Sequence, residues 1–476
     1  MAKVLTPDIC VIGAGPGGLA VATGAAAYGV KVVLVDRDRA SDNLDRALLV
    51  SSPSVALGAA AKRAQAMRAG TGFGIAEAEP EVDFKAVMEH VREVAAAAAP
   101  TASVERLATL GVTVIGAEAR FSGRGRLIAG DTEIRARRYV LATGSTPIVP
   151  AITGIEEIGC LTSDTVLGLR RRPAHLVIIG GSSTGLELAQ AFRRLGSQVT
   201  VIEPATVLPD EDPEMASVIA RRLRAEGVAI REGARVTAVE RRGKTSVRVR
   251  IETDAGAEEV DGSHLLVAVG RAPDVDGLDL RKARVQLKGD AVDVSAMLRT
   301  TNRRIYAIGA VTGAQPSAHM ATYHADLVLK ALLFRMPAKD RAIISRVVHT
   351  DPELAHVGMT EAQASKRYRK LAILRWPYAE NERARAERRT EGHIKLVATK
   401  NGDILGVTIA GANASELIGI WALALAKGLG LKDMASAVPP HPTTGEIGKS
   451  AAISYFAGRA QRPLARGVVR LLQLFG

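Results

Sequence analysis

Two sets of glycines and acids, spaced alike, carry the chemistry that can be read from this chain. The first runs Gly13, Gly15 and Gly18 in G-x-G-x-x-G spacing, with Asp36 downstream. The second runs Gly180-Gly181-Ser182-Ser183-Thr184-Gly185, with Glu203 downstream. Glycines so spaced let the chain turn sharply and bring backbone N–H groups against a pyrophosphate, while the acid accepts from a ribose hydroxyl. In the second set Ser182 stands where the central glycine would be, so backbone approach to phosphate is less free. Glu203 can bind a 2′-hydroxyl but repels a 2′-phosphate, and no arginine follows it directly, which favours NADH over NADPH.

A glycine loop cradles phosphate only when a strand delivers it and a helix leaves it. The apolar run Ile9-Cys10-Val11-Ile12 enters the first loop, an Ala-rich helix is predicted over 19–28, and a second apolar run, Val32 to Val35, ends at Asp36. The same order recurs. His175–Ile179 reads as a strand, 186–195 as a helix and 198–202 as a strand ending at Glu203. One such unit is weak evidence and two are strong. Further helices are expected over 56–68 and 82–99, and strands over 111–121 and 126–134. Another strand, over 139–142, delivers Thr143 and Gly144. Pro147, Pro150 and Gly154 look like a linker, and apolar strands end at Gly270 and Gly309. From Val347 strands (393–398, 404–409) alternate with helices (361–369, 415–427).

Composition narrows the class. A chain of 476 residues that is 47% hydrophobic and 24% charged suits two to four globular domains. The net charge of +13 raises nucleic acid as a partner. However, the basic residues are scattered, aromatics are 3% and no recognition motif appears, so no nucleic-acid partner is expected. No leader-like segment opens the sequence and no run reaches about 18 apolar residues, so a cytoplasmic protein is expected. The two cysteines, Cys10 and Cys160, provide neither a disulfide framework nor metal-ligand spacing, and no metal is expected.

These motifs, with Ala142-Thr143-Gly144, Val269-Gly270-Arg271, Tyr306-Ala307-Ile308-Gly309, Thr350-Asp351-Pro352-Glu353 and His441 to Glu446, resemble the class I pyridine nucleotide-disulfide oxidoreductases. The resemblance covers nearly the whole chain. It implies an α/β fold with two Rossmann-like nucleotide-binding domains and a C-terminal α+β interface domain, as in glutathione reductase. FAD would occupy a domain built from 1–150 and 277–345, NAD(H) one built from 151–276, and 346–476 would form a homodimer. The implied FAD residues are Gly13, Gly15, Gly18, Asp36, Thr143, Gly144, Ala310 and Ala318. Gly180, Gly185, Glu203, Val236 and Gly270 would serve NAD(H), and His441 with Glu446 would form a proton-handling pair.

Departures from the pattern bear on function. Disulfide-using relatives carry two cysteines shortly after the first acid, yet none lies between Cys10 and Cys160. The matching positions fall near Ser51 and near Asn43 or Arg46, and a serine hydroxyl has no thiolate chemistry near neutral pH. The family's Pro-Ser-Lys is Pro53-Ser54-Val55, and Ala310 replaces an aspartate expected to bond the flavin's ribityl chain. Losing that bond costs about 1.5–3 kcal/mol, roughly ten- to a hundred-fold in affinity.

The expected activity is therefore an FAD enzyme that takes hydride from NADH. Its electrons would pass to a small diffusible acceptor such as a quinone, dye, oxygen or another nicotinamide. Two alternatives are a reductase that uses an external dithiol and a catalytically silent nucleotide-binding partner protein. The tail over 455–475 interleaves Arg459, Arg462, Arg466 and Arg470 with apolar residues, a pattern that suits an anionic membrane surface or the partner subunit.

Overall fold

The structure is a computed structural model that describes residues 3–37, 53–98, 103–243, 246–337, 339–460 and 463–473. Asn43, Arg46, Ser51, Arg462, Leu474 and Phe475 lie outside the described residues.

Short, wholly apolar strands can be satisfied only when covered on both faces, and this chain builds two parallel sheets from them. The first has the order Ile305–Ala307, Arg138–Leu141, Ile9–Ile12, Val32–Val35, Val112–Ile115. Every residue of Ile9–Ile12 and Val32–Val35 is buried. Helix Pro16–Ala26 covers one face and packs on helix Ala318–Leu333, where Gly24 lies against Leu329. The second sheet has the order Leu161–Thr162, His264–Val267, His175–Ile179, Gln198–Glu203, Ala229–Glu232, with helix Ser183–Arg194 against it. A third, antiparallel sheet runs Arg346–Val348, Glu353–Gly358, Ile404–Gly411, His393–Thr399, Leu371–Pro377 and is backed by helices Ala414–Lys427 and Glu446–Ala460.

Several elements differ from the sequence reading for local reasons. The run 126–134 is a hairpin of Arg126–Ala129 and Thr132–Ile134, because Gly130 adopts φ +55° and turns the chain. The run 111–121 divides into Val112–Ile115 in the main parallel sheet and Ala119–Gly123 in a separate one. The expected linker at Pro147 is itself a strand, Ser145–Pro147, which pairs with Arg271–Pro273. Outgoing and returning chains thus cross between the nucleotide units as one ribbon. The helix expected over 361–369 stops at Ser365.

Buried ion pairs tie the second unit to the third sheet. Lys395 is buried within 2.7 Å of Asp212, 2.8 Å of Glu361 and 2.9 Å of Glu214. Arg194, 2% exposed, bridges Glu226 at 2.6 Å and Asp351 at 3.0 Å. Such pairs hold two surfaces in one register, because shifting one surface on the other strips a buried charge of part of its pairing.

Candidate functional site

The two glycine loops share one backbone construction. Gly13 has φ +100°, and a Cβ there would lie 2.4 Å from the Ala142 carbonyl oxygen; Gly180 has φ +110° with Ala268 at 2.5 Å. Only glycine satisfies both demands. A Cβ on Gly18 would lie 1.9 Å from the Gly13 oxygen, and one on Gly185 would lie 2.2 Å from the Gly180 oxygen. Each helix therefore starts in backbone contact with its strand's end, leaving its N–H groups and dipole directed outward.

The acids hold these loops. Ala14 N–H donates to Asp36 at 2.5 Å, and Gly181 N–H donates to Glu203 at 2.8 Å, each across 22 residues. Glu203 also accepts from Ala205 N–H at 3.1 Å. A carboxylate has about four lone-pair sites, so a ribose hydroxyl can still be accepted. Ser182, which departs from the glycine pattern, caps the second helix: its hydroxyl donates to Ala268 O at 2.6 Å and accepts from Gly185 N–H at 3.3 Å.

A cavity of about 830 Å³ opens over the first loop. Gly13, Gly15, Asp36, Thr143, Gly144, Ala310 and Ala318 line it. Gly18 sits behind the loop rather than in the wall. The cavity continues to Thr184, Glu187 and Leu188, on the first turns of the helix that leaves the second loop. Gly180, Gly185, Glu203 and Gly270 lie outside this wall, on the second unit's own loops. Val236 lies on strand Arg235–Arg242 opposite Ile251, packed against the core of the second unit. Thr143 donates to Asp274 O at 2.6 Å and so fixes its strand end to the returning chain.

Three parts of the wall escaped the sequence reading. Arg271, read there only as the end of a motif, forks onto both oxygens of Asp164 at 2.5 and 3.1 Å. It also donates to Ser145 O at 2.6 Å, and so pins the crossing ribbon. Arg37 reaches Asp274 at 2.8 Å across the mouth of the cavity. Glu187 accepts from His349 N–H at 2.7 Å, and burial pushes its carboxyl up to about 7. Among the described residues no lysine or arginine pairs with it. These contacts join residues more than 100 positions apart, or the second unit to the third, so no local spacing announces them.

His441 and Glu446 do meet. The imidazole Nδ1 lies 3.0 and 3.2 Å from the two carboxylate oxygens, and Glu446 also accepts from Thr443 N–H at 3.0 Å. The hydrogen bond that His441 donates to Glu446 raises the His441 pKa. The side chain is 63% exposed, its Nε2 is 3.4 Å from Glu382, and it stands apart from the cavity wall. Cys10 is buried in its strand, where desolvation pushes the thiol well above its ordinary range; Cys160 is half-buried, and both are free. Among the described residues no cluster of metal-ligating side chains occurs.

The residues present fit FAD. A Cβ at Gly15 or Gly144 would meet nothing within 4 Å, so backbone borders open space there, and the first turn of helix Pro16–Ala26 carries no acid to repel phosphate. Two dinucleotide loops, one cavity touching both units and a carboxyl poised near neutrality define a pyridine-nucleotide oxidoreductase of the two-Rossmann type.

The chain belongs to the pyridine nucleotide-disulphide oxidoreductase family, whose profile matches residues 7–325, followed by that family's dimerisation domain over 344–452. It is an FAD- and NAD(H)-using flavoprotein enzyme with a glutathione reductase-like fold. A dihydrolipoyl dehydrogenase of Geobacillus stearothermophilus is 34% identical, covering 94% of this chain and 95% of its own. A mercuric reductase of Streptomyces lividans is 32% identical, covering 97% and 98%. The HOCl-induced flavoprotein disulfide reductase RclA of Escherichia coli, solved as a Cu(II) complex, has a TM-score of 0.84 at 26% identity, covering 95% of this chain and 100% of its own. No helix among the described residues is long and apolar enough to cross a membrane.

Proposed function

We propose that this enzyme takes hydride from NADH and delivers the electrons to a diffusible acceptor that is not a disulfide, with a quinone as the first candidate. In balance, NADH, a proton and a quinone give NAD⁺ and a hydroquinone. The observation that carries the reading is the single cavity bordered by the first glycine loop and by the helix that leaves the second. FAD, when bound there, supplies two-electron exchange with the nicotinamide and with a second substrate. The protein's own contribution would be to hold FAD against the first glycine loop and the nicotinamide nucleotide on the second unit, while Glu187 offers a proton-exchanging group where the cavity reaches that unit.

The cysteines support this choice of acceptor. A relay through an internal disulfide needs two thiols beside the flavin, and the chain's two cysteines are Cys10, inside a strand, and Cys160. Segments 1–150 and 277–345 would hold FAD, 151–276 NADH, and 346–476 a second copy of the chain. Helix Pro463–Leu472 exposes Val468, Val469, Leu471 and Leu472, a face that would meet the partner subunit or an anionic bilayer.

The retained His441–Glu446 pair favours one other reading, a reductase acting on an external dithiol. An anaerobic titration with NADH, followed by an acceptor screen with quinones, NADP⁺ and lipoamide, separates the two. Rapid quinone turnover with negligible lipoamide turnover is expected. Lipoamide turnover that equals or exceeds quinone turnover would overturn the proposal.

A further inference from the structure

Behind the cavity, the loop Gly309–Thr312 that carries Ala310 is held by a buried histidine. Gly309 N–H donates to His324 Nδ1 at 3.1 Å, and His324 Nε2 lies 3.2 Å from Asp340 Oδ2. His324 is 1% exposed, on helix Ala318–Leu333. A backbone N–H can only donate, so Nδ1 must be bare and the proton must sit on Nε2, directed at the carboxylate. The backbone that carries this carboxylate is anchored, since Asp340 N–H donates to Ala296 O at 2.7 Å.

We propose that His324 is a positioning residue for the flavin cavity, holding the Gly309–Thr312 loop only while its imidazole is neutral. The route to the ligand is short. Ala310 follows the bonded Gly309 directly and lines the cavity. Ala318 and Ala321 of the same helix line it too, and a Cβ on Gly17 of the phosphate-loop helix would lie 2.9 Å from the Ala321 carbonyl oxygen. Protonating Nδ1 sets N–H against N–H, so the loop must move away from the imidazole or turn its amide elsewhere. With alanine at 310, the cavity relies more on the loop's backbone than it would with a charged side chain there.

The groups facing the imidazole are few. Asp340 favours its charged form, and the adjacent Tyr323 ring, at 5.8 Å, uses its hydroxyl to accept from the amides of Arg341 and Ala342. Arg299 lies over the Tyr306 ring, and helix Pro16–Ala26 bears no titratable residue. Desolvation outweighs Asp340 and lowers the His324 pKa, so the neutral form prevails at and above the ordinary histidine range. The bond is complete above about pH 6.5 and is lost as pH falls through the lowered folded value.

The inference rests on FAD occupying this cavity, and two measurements separate the two claims. Long-range ¹H–¹⁵N spectra of the full chain with ¹⁵N-labelled histidine should show His324 protonated on Nε2 alone at pH 8. A proton on Nδ1 at that pH overturns the proposal whether or not FAD is bound. FAD affinity, followed by flavin fluorescence, should be constant from pH 8 to about pH 6.5 and should weaken by about five- to ten-fold in the natural protein as pH falls through the lowered folded value of His324, the worth of one hydrogen bond. His324→Asn places an amide oxygen where Nδ1 lies, and should keep the affinity seen at pH 8 with a flattened pH profile. His324→Leu should bind about five- to ten-fold more weakly at every pH. A His324→Asn profile as steep as that of the natural protein overturns the proposal even if the leucine variant fails to fold.

Discussion

Glu203 is the most informative single substitution, because the structure gives it two tasks that can be separated. Its carboxylate accepts Gly181 N–H, which is buried, and Ala205 N–H, which is on an exposed residue. In Glu203→Gln the amide oxygen can turn to Gly181, and Ala205 N–H returns to water. Only the charge contribution is lost, about 1 kcal/mol, or roughly five-fold in NADH affinity. In Glu203→Ala the Gly181 N–H has no partner and the loop relaxes. The loss rises to about 1.5–3 kcal/mol, roughly ten- to a hundred-fold. Both variants also remove the charge that repels a 2′-phosphate, so NADPH should gain relative to NADH. Stopped-flow reduction of the flavin under anaerobic conditions, with each nucleotide in turn, measures all of these values. The reasoning fails if Glu203→Ala binds NADH within two-fold of the natural protein, or if its preference between the two nucleotides is unchanged.

Three further outcomes are expected. Ala310→Asp, which adds an acceptor at the cavity wall, should tighten FAD binding about ten- to a hundred-fold in an apoprotein titration. Arg194→Met should lower unfolding free energy by about 1.5–3 kcal/mol in denaturant titrations, because Glu226 and Asp351 lose the buried cation they share and keep only Arg222 and Arg389. Glu446→Gln should bring the His441 pKa down toward 6.5, followed by NMR of the imidazole protons. In the natural protein the pairing favours the imidazolium, so its contribution is full below the unfolded value and is lost as pH rises through the raised one.

Much of the site could be read locally. A strand end, a turn that only glycine can make and the start of a helix are neighbours in sequence, so Gly13 to Gly18 and Gly180 to Gly185 announce themselves by spacing. Asp36 and Glu203 follow because the next strand of a parallel βαβ unit must return beside the first. His441 and Glu446 are five residues apart and meet at a helix start. By contrast, Ser182 read as a defect in a pattern, and only the fold shows that its hydroxyl caps the helix.

What the sequence alone determined was therefore the two glycine loops, the acids paired with them and the lack of any cysteine between Cys10 and Cys160. Each depends on residue type and short spacing. The tertiary structure alone decided that one cavity reaches from the first loop to Glu187. It also decided that Arg271 pins the crossing ribbon to Asp164, and that His324 holds Gly309 from behind. Those contacts come from chain segments brought together by sheet order and helix packing. Burial then sets their chemistry: the same carboxyl or imidazole in water would titrate at its ordinary value and hold nothing in place.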